Sequence, residues 1–236
     1  MDVSVGDIVI PGDNFAGLPS PPGKTQSVIG PGLRIETDKV IVSQCGIIRQ
    51  KGASTYFVDG YHQKRYIPAK GETVVGTITN KSGDIFKVDI GASEQASLSY
   101  LAFEGATKKN RPNVQVGDIE FSKLILPSKD MEPELVCVDS QGKKGELGPV
   151  PEGGFVFSCS LNLIRKILRK NCPLLRILGT SIPHEIAVGM NGRIWLKAST
   201  VKETVAVGNG ILAAEYTDND EIGDLCQSIF GKLSRD

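Results

Sequence analysis

The sequence predicts a mixed, mainly β protein in three segments: an N-terminal antiparallel β domain, a five-stranded barrel and an α+β domain. Short runs of β-branched and aromatic residues, separated by glycine- and proline-rich turns, fill the first two segments. After residue 155 the spacing of apolar residues changes to that of helices. The 236 residues suffice for one to three domains, and we place the boundaries at 1–70, 71–150 and 151–236.

The N-terminal segment alternates short strands with turns. Its strand-like runs lie at residues 3–10, 39–43, 46–49, 54–58 and 64–67. Their β-branched and aromatic composition favours antiparallel β structure. Prolines and glycines crowd residues 17–23, which predicts a mobile loop whose role stays open.

The middle segment predicts five strands and one long interruption. The strands are expected at residues 72–79, 85–90, 95–98, 119–126 and 134–138. The interruption covers residues 100–116, and the glycine- and proline-rich residues 142–154 are expected to form a linker. Five short strands with one long connection are typical of an OB fold.

The C-terminal segment mixes strands and helices. The predicted elements are a strand at 155–159, helices at 161–170 and 174–178, strands at 185–188 and 193–197, and helices at 200–216 and 220–233. Ser160 suits the N-cap of the first helix, and Gly179 suits the end of the second. The order βααββα over residues 155–216 is that of a KH domain of the eukaryotic type.

The charge balance limits the ways in which this chain can bind a polyanion. There are 27 basic and 27 acidic side chains, so bulk charge does not attract nucleic acid. Binding to a polyanion would therefore depend on a local basic patch or on partner proteins.

Cysteine usage and hydropathy favour the cytosol or the nucleus. The five cysteines are widely spaced, odd in number and without a C-x-x-C pair, which favours reduced thiols over a disulfide framework. No apolar run approaches the roughly 18 residues that span a membrane. The N-terminus lacks the basic-then-apolar pattern of a signal peptide.

Five stretches, spread over all three segments, resemble a known family. They are GPGL at 30–33, SGDIFKVD at 82–89, ASLSYL at 96–101, FEGATKKNRPNVQVGD at 103–118 and GMNGRIW at 189–195. The fourth is long and specific. On these stretches the chain resembles the RNA exosome cap subunits of the ribosomal RNA-processing protein forty family, whose OB domain is of the S-one type.

The resemblance implies a non-catalytic subunit on a ring of inactive RNase-PH-like proteins. There it would help to shape the pore through which RNA reaches separate nucleases for 3'-5' processing and degradation. The expected partners are single-stranded RNA, the ring subunits and the other cap subunits, in the nucleus, nucleolus and cytoplasm. No cofactor, small-molecule substrate or membrane is expected. The alternative is a free-standing OB–KH regulator that binds single-stranded RNA.

A dense basic cluster, Lys108, Lys109 and Arg111, lies in the long interruption of the barrel. OB folds bind single strands through basic grooves and stacking aromatics, so these residues are candidates for contact with RNA or with another subunit. A solvated loop is the simpler interpretation from residue type alone. Of the nearby aromatics, Phe86 alternates with Val88 and is expected in the core.

A second basic group occupies the first predicted helix of the C-terminal segment. Its members are Arg165, Lys166, Arg169 and Lys170, opposite an apolar face. A solvated amphipathic helix is favoured here over contact with RNA or protein.

The KH-like segment lacks the usual phosphate clamp. A working KH domain clamps the nucleic-acid backbone with a G-x-x-G loop between its first two helices, but residues 169–173 contain no glycine. The sequence Gly189-Met190-Asn191-Gly192 matches that pattern, yet strands are predicted on both sides. Asn-Gly between strands predicts a type I′ hairpin, with Trp195 placed just beyond it to pack against the barrel.

No pattern of catalytic or metal-binding residues stands out. The two histidines, His62 and His184, lie far apart, and motifs such as G-x-S-x-G and H-x-E are absent. We therefore expect no catalytic residue, no metal site and no enzyme activity.

Overall fold

The computed structural model describes residues 2–16, 28–37, 39–52, 54–60, 65–126 and 132–233. The chain folds as two compact units, Met1–Gln63 and Lys64–Asp236. The proline-rich stretch at residues 17–23 lies outside the described residues, and so does His62.

Within the described residues, two four-stranded sheets build the first unit. Its strands are β1 (Asp2–Val3), β2 (Ile8–Val9), β3 (Asn14–Phe15), β4 (Val28–Ile29), β5 (Leu33–Glu36), β6 (Lys39–Val42), β7 (Gly46–Lys51) and β8 (Thr55–Asp59). The sheet orders are β1-β3-β6-β5 and β2-β7-β8-β4.

The apolar core of the first unit is formed by residues from both of its sheets. They include Phe15, Val42, Ile48 and Tyr56. Most neighbouring strands are antiparallel, as predicted, but β1–β3 and β4–β8 run parallel. Between β1 and β3 the chain passes through β2, which belongs to the other sheet. It then re-enters the first sheet in the same direction as β1, so β1 and β3 are parallel.

A closed five-stranded barrel opens the second unit and confirms the predicted OB fold. Its strands are β9 (Thr73–Ser82), β10 (Ile85–Asp89), β11 (Ala96–Ser99), β12 (Ile119–Leu126) and β13 (Glu134–Val136). Neighbours pair in the order β13-β11-β10-β9-β12, and pairing of β12 with β13 closes the ring. The barrel is filled by Ile78, Phe86, Val88, Leu98 and Leu124, among others.

The expectation of a plain linker at 142–154 was wrong. A two-residue strand, β14 (Gly148–Pro149), lies in this stretch and pairs with β12. The sequence did not predict this strand, because glycine and proline are typical of turns. Proline lacks a backbone N–H and is tolerated at a sheet edge, where β14 lies.

The predicted βααββα order is confirmed in the remainder of the second unit. The elements are β15 (Phe155–Ser158), α1 (Leu161–Ile167), α2 (Leu174–Ser181), β16 (His184–Val188), β17 (Arg193–Ala198), α3 (Val201–Ala213) and α4 (Ile222–Leu233). The three strands form an antiparallel sheet in the order β15-β17-β16. The helices bury Leu163, Leu178, Val207 and Ile211 against it.

Local interactions set the helix bounds and correct two predictions. Ser160 caps α1 by accepting a hydrogen bond from the Leu163 N–H at 3.0 Å, as predicted, but α1 ends at Ile167 rather than at residue 170. Helix α2 continues through Gly179 to Ser181. In α3, a Cβ at Gly210 would come within 2.9 Å of Ile229 Cδ1, so a helix-weakening glycine permits the close approach of α4.

Among the described residues, no helix has both the length and the apolar character needed to cross a membrane.

Candidate nucleic-acid interface

Hydrogen bonds within the long barrel connection fix the basic turn at residues 107–110. The Thr107 N–H donates to the Asn110 carbonyl at 3.0 Å, and the Asn110 N–H donates to Thr107 Oγ1 at 3.0 Å. The Asn110 side chain also donates to the Gly105 carbonyl at 3.3 Å. Lys108 and Lys109 therefore lie at the tip of an ordered turn, with both side chains exposed.

Arg111 is held beside this turn by two interactions with the barrel. Its guanidinium lies over the Tyr100 ring, 4.9 Å from the ring centroid, and Nη2 is 3.1 Å from Asp84 Oδ1. More than half of each side chain of the ion pair remains exposed, so the pair is weak. Phosphate can therefore compete with Asp84 for Arg111, whereas the ring contact keeps the guanidinium oriented.

The aromatic residues near the basic turn belong to the barrel core. Phe86, Tyr100 and Phe103 are all buried, and the rings of Phe86 and Phe103 meet edge to face with centroids 6.3 Å apart. Phe86 therefore lies where its alternation with Val88 predicted. None of the three rings is free to stack a base without rearrangement, so the turn offers charge rather than a stacking platform.

The basic group on α1 has a mixed role. Lys166 Nζ donates to the Ala214 carbonyl at 2.7 Å and also to the Thr217 carbonyl, at the C-terminal end of α3. A cation at this position satisfies carbonyls that have no partner within the helix and complements the helix dipole. Arg169 and Lys170 are exposed beyond the end of α1. No local sequence pattern indicated this structural role of Lys166.

The turn that matches G-x-x-G joins β16 to β17. The Gly192 N–H donates to the Gly189 carbonyl at 3.2 Å, and the Gly189 N–H donates to the Arg193 carbonyl at 2.9 Å. Gly192 has a φ of +82°, but Met190 and Asn191 are not in the left-handed region. The turn is therefore not of type I′, and that detail of the prediction was wrong. The Asn191 side chain points towards the barrel.

Asn191 connects the KH-like elements to the barrel. Its side-chain amide donates to the carbonyls of Val75 and Ile90, each at 2.8 Å, and its Oδ1 accepts from the Val75 N–H at 3.2 Å. The residue is only 8% exposed. A Cβ at Gly189 would lie 2.3 Å from Asn191 Oδ1 and 2.6 Å from the Val75 nitrogen, so only glycine fits there. This glycine turn therefore faces the barrel.

Trp195 fills the space beside this turn. It is 3% exposed and forms a cluster with Val75 and Ala187. Side chains from both parts of the unit surround this cluster: Ile119, Phe121, Val150 and Val156. A Cβ at Gly154 would lie within 2.2 Å of the indole Nε1, so Gly154 leaves room for the ring.

An ion pair completes the barrel–KH junction. Arg193 Nη2 is 2.7 Å from Asp89 Oδ2, and Nη1 donates to the Asp89 carbonyl at 2.6 Å. Burial alone would raise the pKa of Asp89, but hydrogen bonds from Arg193 and the Gly91 N–H, together with the Arg193 charge, outweigh it and lower that pKa. Sequence reasoning missed this pair because the two residues lie 104 positions apart.

Across the described ranges, no group of three or more histidine, cysteine, aspartate or glutamate side chains is arranged to hold a metal ion.

Family models match the chain in each of its main parts. The model for the S1 domain of exosome complex component RRP40 matches residues 66–148, and a KH domain model matches residues 154–202. The N-terminal model of mammalian exosome complex component RRP40 matches residues 7–61.

Curated relatives match over most of the chain. Exosome complex component RRP40 of Drosophila melanogaster is 49% identical over 222 residues, which cover 94% of this chain and 95% of the relative. The Homo sapiens protein of the same name is 48% identical, covering 89% of this chain and 77% of the relative. The Saccharomyces cerevisiae protein is 33% identical, covering 95% of this chain and 96% of the relative.

Among solved structures, a crystal structure of a protein assigned as an exosome complex RNA-binding protein has a TM-score of 0.59. The match covers 73% of this chain and 100% of the other, and the two sequences are 22% identical. The likeness therefore supports the fold alone.

Proposed function

Because this chain belongs to the family of exosome complex component RRP40, we propose that it is a non-catalytic, RNA-binding cap subunit of an RNA exosome. In this role it guides single-stranded RNA towards separate nucleases for 3'-5' processing and degradation. Its protein partners are the RNase-PH-like ring subunits and the other cap subunits. It acts in the nucleus, including the nucleolus, and in the cytoplasm.

The observation that supports contact with RNA is the ordered basic turn on the barrel. Lys108 and Lys109 are exposed at a turn whose backbone is already fixed by hydrogen bonds, so little conformational entropy is lost when phosphate binds. Arg111 stands beside them, oriented by the Tyr100 ring. Three cations on a chain with 27 basic and 27 acidic residues support weak binding along the RNA backbone without sequence preference.

The KH-like elements have a structural role in this proposal. The position of the usual clamp, residues 169–173, has no glycine, and the available glycine turn faces the barrel. Gly189, Asn191, Gly192 and Trp195 hold the KH-like elements against the barrel, which gives the basic turn a rigid base. Exposed apolar side chains on the first unit, including Ile8 at 82% and Ile35 at 70%, support contacts with neighbouring subunits.

The test compares two double variants of the full-length chain. Lys108→Ala with Lys109→Ala removes the basic turn of the barrel. Arg169→Ala with Lys170→Ala removes the same charge from the turn where a KH clamp would lie. Each protein is titrated with fluorescent single-stranded RNA at several salt concentrations, and each is also tested for incorporation into the complex recovered from cells.

The barrel variant should lose RNA affinity or incorporation, whereas the KH variant should change neither. For the wild-type chain, about three phosphate contacts predict a slope of about −2 for log affinity against log salt, at roughly −0.7 per contact. A slope several times steeper, or a loss confined to the KH variant, would contradict contact through the barrel turn. If RNA binding is unchanged and only incorporation is lost, the turn contacts a neighbouring subunit instead.

A further inference from the structure

The stretch of residues 153–184 has basic side chains but no acidic one. Glu152 precedes it and Glu185 follows it. Its five cations are Arg165, Lys166, Arg169, Lys170 and Arg176. The stretch folds as β15, α1 and α2. One part of the KH-like elements therefore has a local excess of positive charge, although the chain as a whole is neutral.

Interactions within the molecule account for two of these cations. Lys166 donates to the Ala214 and Thr217 carbonyls beyond the end of α3. Arg165 lies beside it in the last turn of α1, where a cation complements the negative end of the helix dipole. Acidic residues follow α3 at positions 215, 218, 220 and 221, and this stretch meets α1 at Lys166.

The other three cations have no such role. Arg169 and Lys170 lie beyond the last turn of α1, to which the dipole effect is confined. Arg176 is in the first turn of α2, where the positive end of the helix dipole disfavours a cation. All three are exposed, and among the residues that the structure describes none of them belongs to an ion pair. Their charge is therefore available to an anion from outside the chain.

An exposed leucine lies at the same turn. Leu168, the C-cap of α1, directly precedes Arg169 and is 48% exposed. The turn is ordered, because the Leu168 N–H donates to the Ile164 carbonyl and the Cys172 N–H to the Arg169 carbonyl, each at 3.0 Å. Three cations and one apolar side chain form what we call the α1–α2 basic surface: Leu168, Arg169, Lys170 and Arg176.

The chemistry of the α1–α2 basic surface suits carboxylates that accompany an apolar side chain. Guanidinium groups bind carboxylates through two parallel hydrogen bonds, and Leu168 adds an apolar contact. Residues 161–184 contain no Phe, Tyr or Trp on which a base could stack. Residues 169–173 contain no glycine that would let a nucleic-acid backbone approach closely. The surface therefore fits an acidic peptide better than RNA.

We propose that the α1–α2 basic surface docks an acidic segment of another protein. Carboxylates of that segment meet Arg169, Lys170 and Arg176, and an apolar side chain packs on Leu168. Arginine clusters recognise acidic motifs in this manner. Exposed charge pairs are individually weak, so the contact is transient and sensitive to salt. It is separate from the RNA contact of the barrel, and stable incorporation of the chain into its complex does not depend on it.

Fluorescence anisotropy with a defined peptide tests this proposal. The probe is the labelled peptide Glu-Asp-Asp-Glu-Leu-Asp-Glu-Asp-Asp. Two control peptides replace either its acidic residues with Gln and Asn or its leucine with Ser. Each peptide is titrated with the full-length chain at about 0.1 M salt, where exposed charges still interact over about 10 Å.

Two triple variants with equal net charge separate this surface from the barrel turn. The test variant is Arg169→Gln with Lys170→Gln and Arg176→Gln. The matched control is Lys108→Gln with Lys109→Gln and Arg111→Gln. All six side chains are exposed, so both variants should keep the fold, which urea denaturation verifies. Each variant is also titrated with fluorescent single-stranded RNA.

The wild-type chain and the barrel variant should bind the acidic peptide equally well. The α1–α2 variant should bind it at least about eightfold more weakly, at a factor of about two or more for each of three exposed charge pairs. The neutral peptide should not bind, and the serine peptide should bind more weakly than the leucine peptide. Loss of RNA affinity in the barrel variant alone would leave both proposals standing.

Three results would overturn the docking proposal: no binding of the acidic peptide by the wild-type chain, equal weakening in both variants, or equal affinity for the leucine and serine peptides. A loss of RNA affinity in the α1–α2 variant without a loss of peptide affinity would also overturn it and would identify a nucleic-acid contact. If the barrel variant keeps its RNA affinity while the α1–α2 variant loses peptide affinity, the RNA contact of the barrel turn is wrong and the docking surface stands.

Discussion

Replacing Asn191 with alanine removes the polar side chain that joins the KH-like elements to the barrel. Three hydrogen bonds to the backbone of Val75 and Ile90 are lost. The site is buried, so the freed barrel groups do not recover water without local opening. At about 1–1.5 kcal/mol for each bond, the free energy of unfolding should fall by roughly 3–4.5 kcal/mol.

Urea denaturation of the full-length chain, followed by tryptophan fluorescence, measures this loss. Trp195 is the single tryptophan and lies beside the junction, so its signal reports on that junction. Asn209→Ala, at an exposed position on α3, serves as the control and should stay within about 0.5 kcal/mol of wild type. A loss below about 1 kcal/mol for Asn191→Ala, or an equal loss in the control, would refute the structural role of the Asn191 amide.

Three further changes test the same junction. Trp195→Ala should lower the free energy of unfolding by about 3–5 kcal/mol in thermal or chemical unfolding, because it empties a buried site. Gly192→Ala should cost at least about 1–2 kcal/mol, since its φ is +82° and the new Cβ would lie 2.8 Å from the Cys159 carbonyl oxygen. Because the pKa of Asp89 is lowered by Arg193, its contribution is present above pH about 4 and disappears as the pH falls below it. Asp89→Asn should therefore flatten the decline in unfolding temperature below pH 4, and an unchanged decline would contradict this assignment.

Local patterns sufficed for most elements of the fold. Strand β12 lies at Ile119–Leu126, as its composition predicted, and Ser160 caps α1. The turn at Gly192 was also recognisable, because glycine punctuates two β-branched runs. These features depend on neighbouring residues, which the sequence displays directly.

The barrel–KH junction and the burial of Glu120 depend on contacts that local sequence patterns do not encode. Asn191 meets Val75 across 116 positions, and no spacing rule pairs them. In β12, simple alternation would place the apolar residues inside the barrel and Glu120 outside. Both faces of this strand are covered, however: Phe121 packs beside Trp195, while Glu120 faces the barrel interior. In a strand that is buried on both faces, the alternation of apolar and polar residues does not indicate which side chains point into the core.

The measurement that tests the proposed function most directly is the native size and composition of the assembly that contains this chain. The tagged chain is recovered from cell extract without crosslinking and separated by size exclusion, and co-eluting proteins are identified by mass spectrometry. The proposal predicts elution in a large complex together with RNase-PH-like ring subunits and other cap subunits. Elution of the chain as a 25.3 kDa monomer that still binds single-stranded RNA would contradict it and would identify a free-standing RNA-binding regulator.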